Sequence, residues 1–358
     1  MDTIRALFYY FMPSLAPAPT SITIRGPTGR YPTGEDHDYT FTLPDGRTLG
    51  YAQYGDLTGK PIFYFHGLPA CRIEGVYLHE VGLKHGARII ALDRPGLGLS
   101  SPHLGRKLLD YPKDVEALAG ELGLERYAVI YDSENFANHQ SAQGASGGGP
   151  SVLACAHVLP AHTLVAASLV CCIGPSNLIG HRGGFLAHKL GFPYGWAHCP
   201  VPLLAYLMKS FFLGPVGRVD LPVETRVRMM LAPAFLAKQD PRDRAILADD
   251  EDGLWTMCTS ANRAYGRSFE GAAQDGRVTC TDWGFRIRDI RADLWVGMWY
   301  GKDDGNVPLS HGDYIAAELG MRTGEGKGGV DYRVSNDTHT SVFFNKKEEA
   351  LRALLERF

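Results

Sequence analysis

Gly144-Ala145-Ser146-Gly147-Gly148 is the stretch on which the reading of this chain turns. It is a G-x-S-x-G pentapeptide, and the small, apolar run Gly147 to Leu159 reads as a helix. That arrangement fits a serine lifted onto a sharp turn where a sheet hands over to a helix. Glycines on both sides let neighbouring backbone approach where a side chain would collide. The helix start also offers free N–H groups close to the serine. Taken alone the pentapeptide is weak, because 42 glycines make chance matches easy. Three further segments, in order, give it weight.

Phe63-Tyr64-Phe65-His66-Gly67-Leu68-Pro69 reads as a buried strand ending in a His-Gly turn. Such a turn can aim a backbone N–H, that of Leu68, at an oxyanion, with the N–H of Gly147 as second donor. On its own, His66-Gly67 fits an ordinary tight turn better. Leu294 to Tyr300 reads as a second buried strand, followed by the acidic turn Gly301-Lys302-Asp303-Asp304-Gly305-Asn306-Val307-Pro308. A carboxylate there can hold a histidine in its useful tautomer. Asp304 is preferred over Asp303, because the D-x-x-V-P spacing returns the chain into the next helix. Val330 to Val334 is a last strand, and the polar loop Ser335 to Thr340 behind it carries His339, with a closing helix over Lys346 to Phe358. With an ordinary pKa of about 6.5, His339 suits a general base. Among 13 histidines it stands out by position. His311 is the weaker candidate, sitting close after Asp304 at a helix start.

The order Ser146, Asp304, His339 is that of the α/β-hydrolase triad. From about Tyr39 to Phe358 the chain resembles the α/β-hydrolase fold family, in its branch of lipases, esterases and related serine hydrolases. Ala87 to Ser100 resembles the family's fourth strand and its D-x-P-G-x-G-x-S turn, and Trp283-Gly284-Phe285 looks like the return from its cap. The resemblance implies a mostly parallel central sheet flanked by helices, with an inserted helical cap. It implies Ser146 as nucleophile, His339 as base and Asp304 as acid, with Leu68 and Gly147 as the oxyanion hole and His66, Gly67, Gly144 and Gly148 as supporting motif. Asp93 to Ser100 also approximates a dinucleotide fingerprint. Ser101 stands where the third glycine belongs, Pro95 and Pro102 crowd the turn, and no helix opens there, so nucleotide binding is rejected.

Net charge is −3, with 36 basic and 39 acidic residues, and no basic stripe suggests nucleic acid. Seven cysteines, an odd number without paired metal spacing, point to buried thiols and a reducing compartment. His79-Glu80 and His85 are too far apart for a zinc helix. The expectation is no metal and no cofactor. Ile4 to Met12 is too short to span a bilayer. A cytoplasmic protein is expected, with secretion as the alternative if that patch is a signal peptide.

The chain divides into an N-terminal arm (1–36, with a short strand at Ile22 to Arg25), a core (37–175 and 284–358) and a helical cap (176–283). One region breaks the pattern. Tyr131 to Gln143 is polar and weakly patterned where a strand should run straight into the serine turn. Residues 131–143 are either a genuine insertion that bulges out or non-native sequence such as a retained intron, with the second slightly favoured. The transcript distinguishes them. The expected function is cleavage of an ester-type acyl bond of a small, hydrophobic substrate through an acyl-enzyme. A non-catalytic binding protein and an acyltransferase are the alternatives. Aromatic and methionine residues of the cap, Phe185 to Trp255, are better read singly as packing than as an acyl pocket.

Overall fold

In the run Lys60–Phe65, Ile62 and Tyr64 face one side and Phe63 and Phe65 the other, and all four are buried. A strand covered on both faces reads as a continuous apolar run, the mark of a sheet with helices on either side. The computed structural model describes residues 22–68, 70–131, 147–175, 196–209, 214–266, 268–324 and 328–358. Strands β1 (Asp38–Thr42), β2 (Thr48–Gly55), β3 (Lys60–Phe65), β4 (Ala87–Leu92), β5 (Tyr127–Tyr131), β6 (Leu164–Val170), β7 (Trp295–Gly301) and β8 (Val330–Ser335) form one eight-stranded sheet. Its order is β1-β2-β4-β3-β5-β6-β7-β8. β2 runs antiparallel to β1 and β4, and every other pair is parallel.

Parallel pairing requires crossovers. The helices, in chain order, are α1 (His79–His85), α2 (Tyr111–Glu121), α3 (Gly149–Val158), α4 (Val201–Leu207), α5 (Val223–Leu231), α6 (Pro233–Leu236), α7 (Pro241–Asp249), α8 (Glu251–Tyr265), α9 (Glu270–Cys280), α10 (Leu309–Gly320) and α11 (His339–Leu355). Val115 of α2, Val152 of α3 and Ile315 of α10 pack with Phe63, Phe65 and Val129 on one face. Val81 of α1 and Phe343 and Leu351 of α11 pack with Ile62, Tyr64 and Ile130 on the other. Helices α4 to α9 fall between β6 and β7 and share a third cluster, in which Leu204, Met230 and Cys258 join Leu68, Cys71 and Leu97. The register pairs Phe65 with Tyr131, Tyr131 with Leu169, Val170 with Trp299 and Gly301 with Ser335. The carboxyl ends of β3, β5, β6, β7 and β8 therefore share one edge, where open α/β sheets bind ligands.

Most elements lie where the sequence places them, with three differences. Ile22 to Arg25 is not a strand: the N–H groups of Arg25 and Gly26 donate to Glu251 Oε1 at 2.7 and 2.9 Å, so a side chain of α8 satisfies them. The pattern over Glu74 to His85 reads as one helix, whereas the structure has a 3₁₀ turn, Arg72–Leu78, followed by α1. The closing helix starts at His339 and not at Lys346, because Thr338 caps it: its side chain accepts from Ser341 N at 3.1 Å. The segment 131–143 beyond Tyr131, and Gly144 and Ser146 with it, lie outside the described residues.

Candidate active site

The acidic turn behind β7 is organised by one carboxylate. Asp304 Oδ1 accepts from the N–H groups of Asn306 and Val307 at 2.8 and 2.7 Å. Its Oδ2 faces His339 Nδ1 at 2.7 Å, and both side chains are buried. Burial pushes the Asp304 carboxyl up, but the His339 charge and the hydrogen bonds from His339, Val307 N–H and the Cys171 thiol outweigh it, so its pKa lies below the ordinary value. An ionised carboxylate only accepts, so the proton between them sits on Nδ1, and in the neutral ring the lone pair is on Nε2. Asp303 takes no part: its exposed carboxylate pairs with Arg242 Nη1 at 2.9 Å. His311, buried on α10, accepts from Gly174 N at Nδ1.

The second half lies where α3 meets the end of β3. A Cβ on Gly148 would stand 2.7 Å from the carbonyl oxygens of Phe65 and His66 and 2.3 Å from the Tyr131 ring. A Cβ on Gly147 would stand 3.1 Å from the Leu68 side chain, and one on Gly149 2.2 Å from Cys172 Sγ. These glycines let the start of α3 press against three strand ends. Leu68 and Gly147, the two expected oxyanion donors, are thus neighbours. The end of β6 links the halves. Cys171 lies beside Asp304 and His339, and Cys172, the next residue, lies against Gly149.

His66 is not a second base. Its ring is fully buried, Nδ1 donates to Gly67 O at 2.8 Å, and Nε2 accepts from Arg94 N at 3.2 Å. Burial, followed by the adjacent Arg94 guanidinium, holds its pKa well below the ordinary value. It is a neutral brace between the ends of β3 and β4. Arg94 also donates to the carbonyls of His66 and Gly67. In a planar trans peptide the N–H points opposite the C=O. Pinning the Gly67 carbonyl on Arg94 therefore turns the Leu68 N–H away from it. The Gly67 N–H donates to Glu74 Oε2 at 2.5 Å, and Tyr64 OH donates to the same oxygen at 3.1 Å. Burial pushes Glu74 up to about 8, despite both hydrogen bonds.

Sequence reasoning missed Glu74, Arg94 and their partners. Asp275 of α9 accepts from Arg94 Nε at 2.8 Å and Arg106 Nη2 at 2.6 Å, all three buried. No local pattern marks such a link, whose members lie 169 and 181 positions apart. The Gly98 turn, by contrast, is explained by Asp93. Its carboxylate accepts from Arg72 N and Leu99 N at 2.7 and 2.8 Å, and a Cβ on Gly98 would meet it at 2.1 Å. Gly98 closes over the Asp93 carboxylate.

A cavity of about 780 Å³ lies between the turn Gly96 to Arg106 and helices α4 and α9, and its lining does not include Leu68, Gly147, Asp304 or His339. Trp196 and Met230, two of the residues weighed for an acyl pocket, are buried in the cluster of the inserted helices. Phe185, Phe192, Tyr194, Phe211 and Phe212 lie outside the described residues. No described helix is long and apolar enough to cross a membrane.

No family model matches the chain. A stretch of 86 residues is 36% identical to a non-heme chloroperoxidase from Streptomyces lividans, covering 24% of this chain and 31% of that protein, so the chain spans about a third of its length. Solved structures match far more of the fold. A bromoperoxidase from Bacillus anthracis superposes with a TM-score of 0.57 at 17% identity, over 89% of this chain and 99% of that one. A hydrolase from Pseudomonas aeruginosa gives 0.55 at 17%, over 90% and 99%. A thermophilic esterase from Thermogutta terrifontis gives 0.55 at 15%, over 89% and 98%. With the antiparallel β2, the parallel strands after it and the glycine-tight start of α3, the chain is an α/β-hydrolase-fold protein.

Proposed function

We propose that the chain is a serine hydrolase that cleaves an ester-type acyl bond of a small, hydrophobic substrate. Ser146 Oγ attacks the acyl carbonyl, and His339 takes its proton at Nε2. Asp304 holds the imidazole in that tautomer and stabilises the imidazolium. The N–H groups of Leu68 and Gly147 receive the oxyanion. Water then releases the acid from the acyl-enzyme. Residues 176–283 form the cap, and 37–175 with 284–358 form the core.

The observation that carries this reading is the buried Asp304–His339 pair, 2.7 Å apart, at the carboxyl edge of the sheet. It is supported by Cys171 lying beside that pair and the next residue, Cys172, lying against Gly149 at the start of α3, which Ser146 precedes by three positions in the sequence. Fluorophosphonate labelling tests it: the wild type takes the label and Ser146→Ala does not. Ester turnover that survives Ser146→Ala in pure protein removes the serine from its role. A binding protein without catalysis is the second reading, favoured by the polar segment 131–143 ahead of the serine. Absence of labelling in a folded chain selects it. Product analysis with a competing alcohol separates hydrolysis from acyl transfer.

A further inference from the structure

β6 ends at Val170, and Cys171 follows with φ of 51°, the one non-glycine among the described residues with positive φ. A left-handed L-residue costs on the order of 1–2 kcal/mol and persists where its surroundings over-determine it, often at functional sites. The Trp299 carbonyl holds its N–H at 2.9 Å. Its thiol hydrogen-bonds the Asp304 carboxylate. The Cys171 sulfur, an Asp304 oxygen and a His339 ring nitrogen all lie within 4.8 Å of one another, and all three residues are buried.

We propose that Cys171, Asp304 and His339 form a three-ligand site for a thiophilic divalent cation, with Zn²⁺ the fitting member. Thiolate, imidazole and carboxylate together are a zinc donor set, whereas magnesium and calcium take oxygen shells. Zinc bonds of about 2.0–2.3 Å set tetrahedral ligand atoms about 3.3–3.8 Å apart. The three atoms already lie within 4.8 Å of one another, and the His339–Asp304 pair, now at 2.7 Å, opens by about 1 Å or less. Charge favours the site. The thiolate and the carboxylate cancel the cation, so a neutral assembly is buried and no bare charge is left in a poorly solvated place.

Proton balance follows from the ligand atoms. The Cys171 thiol loses its proton to solvent, so binding tightens as pH rises. Zinc takes the His339 Nδ1 lone pair, so the Nδ1 proton is replaced by one on Nε2. The imidazole stays neutral in the opposite tautomer. An Nε2 that carries a proton cannot accept one from a serine hydroxyl. Metal binding and general-base action at His339 exclude each other. That consequence rests on the hydrolase reading; the site itself rests only on the three side chains.

The test uses the full chain stripped with a chelator and desalted. It is titrated with Zn²⁺ against a chromophoric chelator, and with Co²⁺ for the thiolate-to-metal charge-transfer absorption. The wild type takes one cation and shows the band. Cys171→Gly, which suits a φ of 51°, and Cys171→Ser lose the band and weaken zinc binding by at least about tenfold, the drop that even an outer partner of a ligand typically causes. Cys199→Ser, at the half-buried thiol, leaves both unchanged. Equal zinc affinity in wild type and both Cys171 variants, or no Cys171-dependent cobalt band, overturns the site. If esters are turned over, zinc inhibits the wild type and not Cys171→Gly. A cobalt band without ester turnover upholds the metal site and removes the hydrolase reading instead.

Discussion

Replacing Glu74 by Gln should change how stability depends on pH. The Glu74 carboxyl is buried beneath the His66–Leu68 turn, and burial raises its pKa from an ordinary 4.5 to about 8 in the folded chain. Between those values the folded state binds a proton that the unfolded state has released. Stability contributed by this group is fully present below pH 4.5 and falls as pH rises towards 8. At about 1.4 kcal/mol per pH unit, three and a half units amount to about 5 kcal/mol, an order-of-magnitude figure. At pH 7 about nine in ten folded molecules carry the protonated form, so most of the loss is already present. Gln keeps a carbonyl oxygen to accept from the Gly67 N–H and carries nothing that titrates. Urea unfolding of wild type and Glu74→Gln at several pH values from 5 to 9 measures the difference. The wild type should lose stability relative to the variant by about 1.4 kcal/mol per pH unit up to about 8, then level off. A difference that stays constant within about 0.5 kcal/mol across that range refutes the buried, titrating Glu74.

Asp304→Asn should retain the fold and lower kcat by about 10⁴, because an amide presents the wrong partner to His339 Nδ1–H; steady-state ester kinetics checks it. Gly148→Ala should destabilise by about 1–3 kcal/mol in denaturant titration, since its Cβ would meet two carbonyl oxygens and the Tyr131 ring. Asp275→Ala should cost about 3–5 kcal/mol, because it strands the buried Arg94 and Arg106 guanidiniums. Restoring stability with Asp275→Glu, to a larger extent than with Asp275→Asn, would identify the charge as the cause.

The linear pattern made the sheet legible because β3, β4 and β7 are buried on both faces, and double burial writes itself as unbroken apolar runs. The choice of Asp304 over Asp303 also came from spacing, and the structure pairs Asp304 with His339 while Asp303 faces solvent and Arg242. His339 was legible as a residue but not as the first residue of a helix, since its cap depends on hydrogen bonds of Thr338 with Ser341. Glu74, Arg94, Asp275 and Cys171 were not legible as partners of the site. Arg94, Asp275 and Cys171 act on neighbours brought close by sheet pairing or helix packing, and Glu74 reaches Gly67 and Tyr64 by folding of the turn between them.

Local chemistry alone thus determined the order of strands and helices, the glycine-rich start of α3 and the residue types at the strand ends, because periodicity and backbone sterics act over a few positions. Tertiary structure alone decided which carbonyls rest on Arg94, and it brought a strained thiol to the Asp304 carboxylate. Those contacts join residues 27 to 133 positions apart, and no short-range rule connects them until the sheet draws its carboxyl ends into one edge.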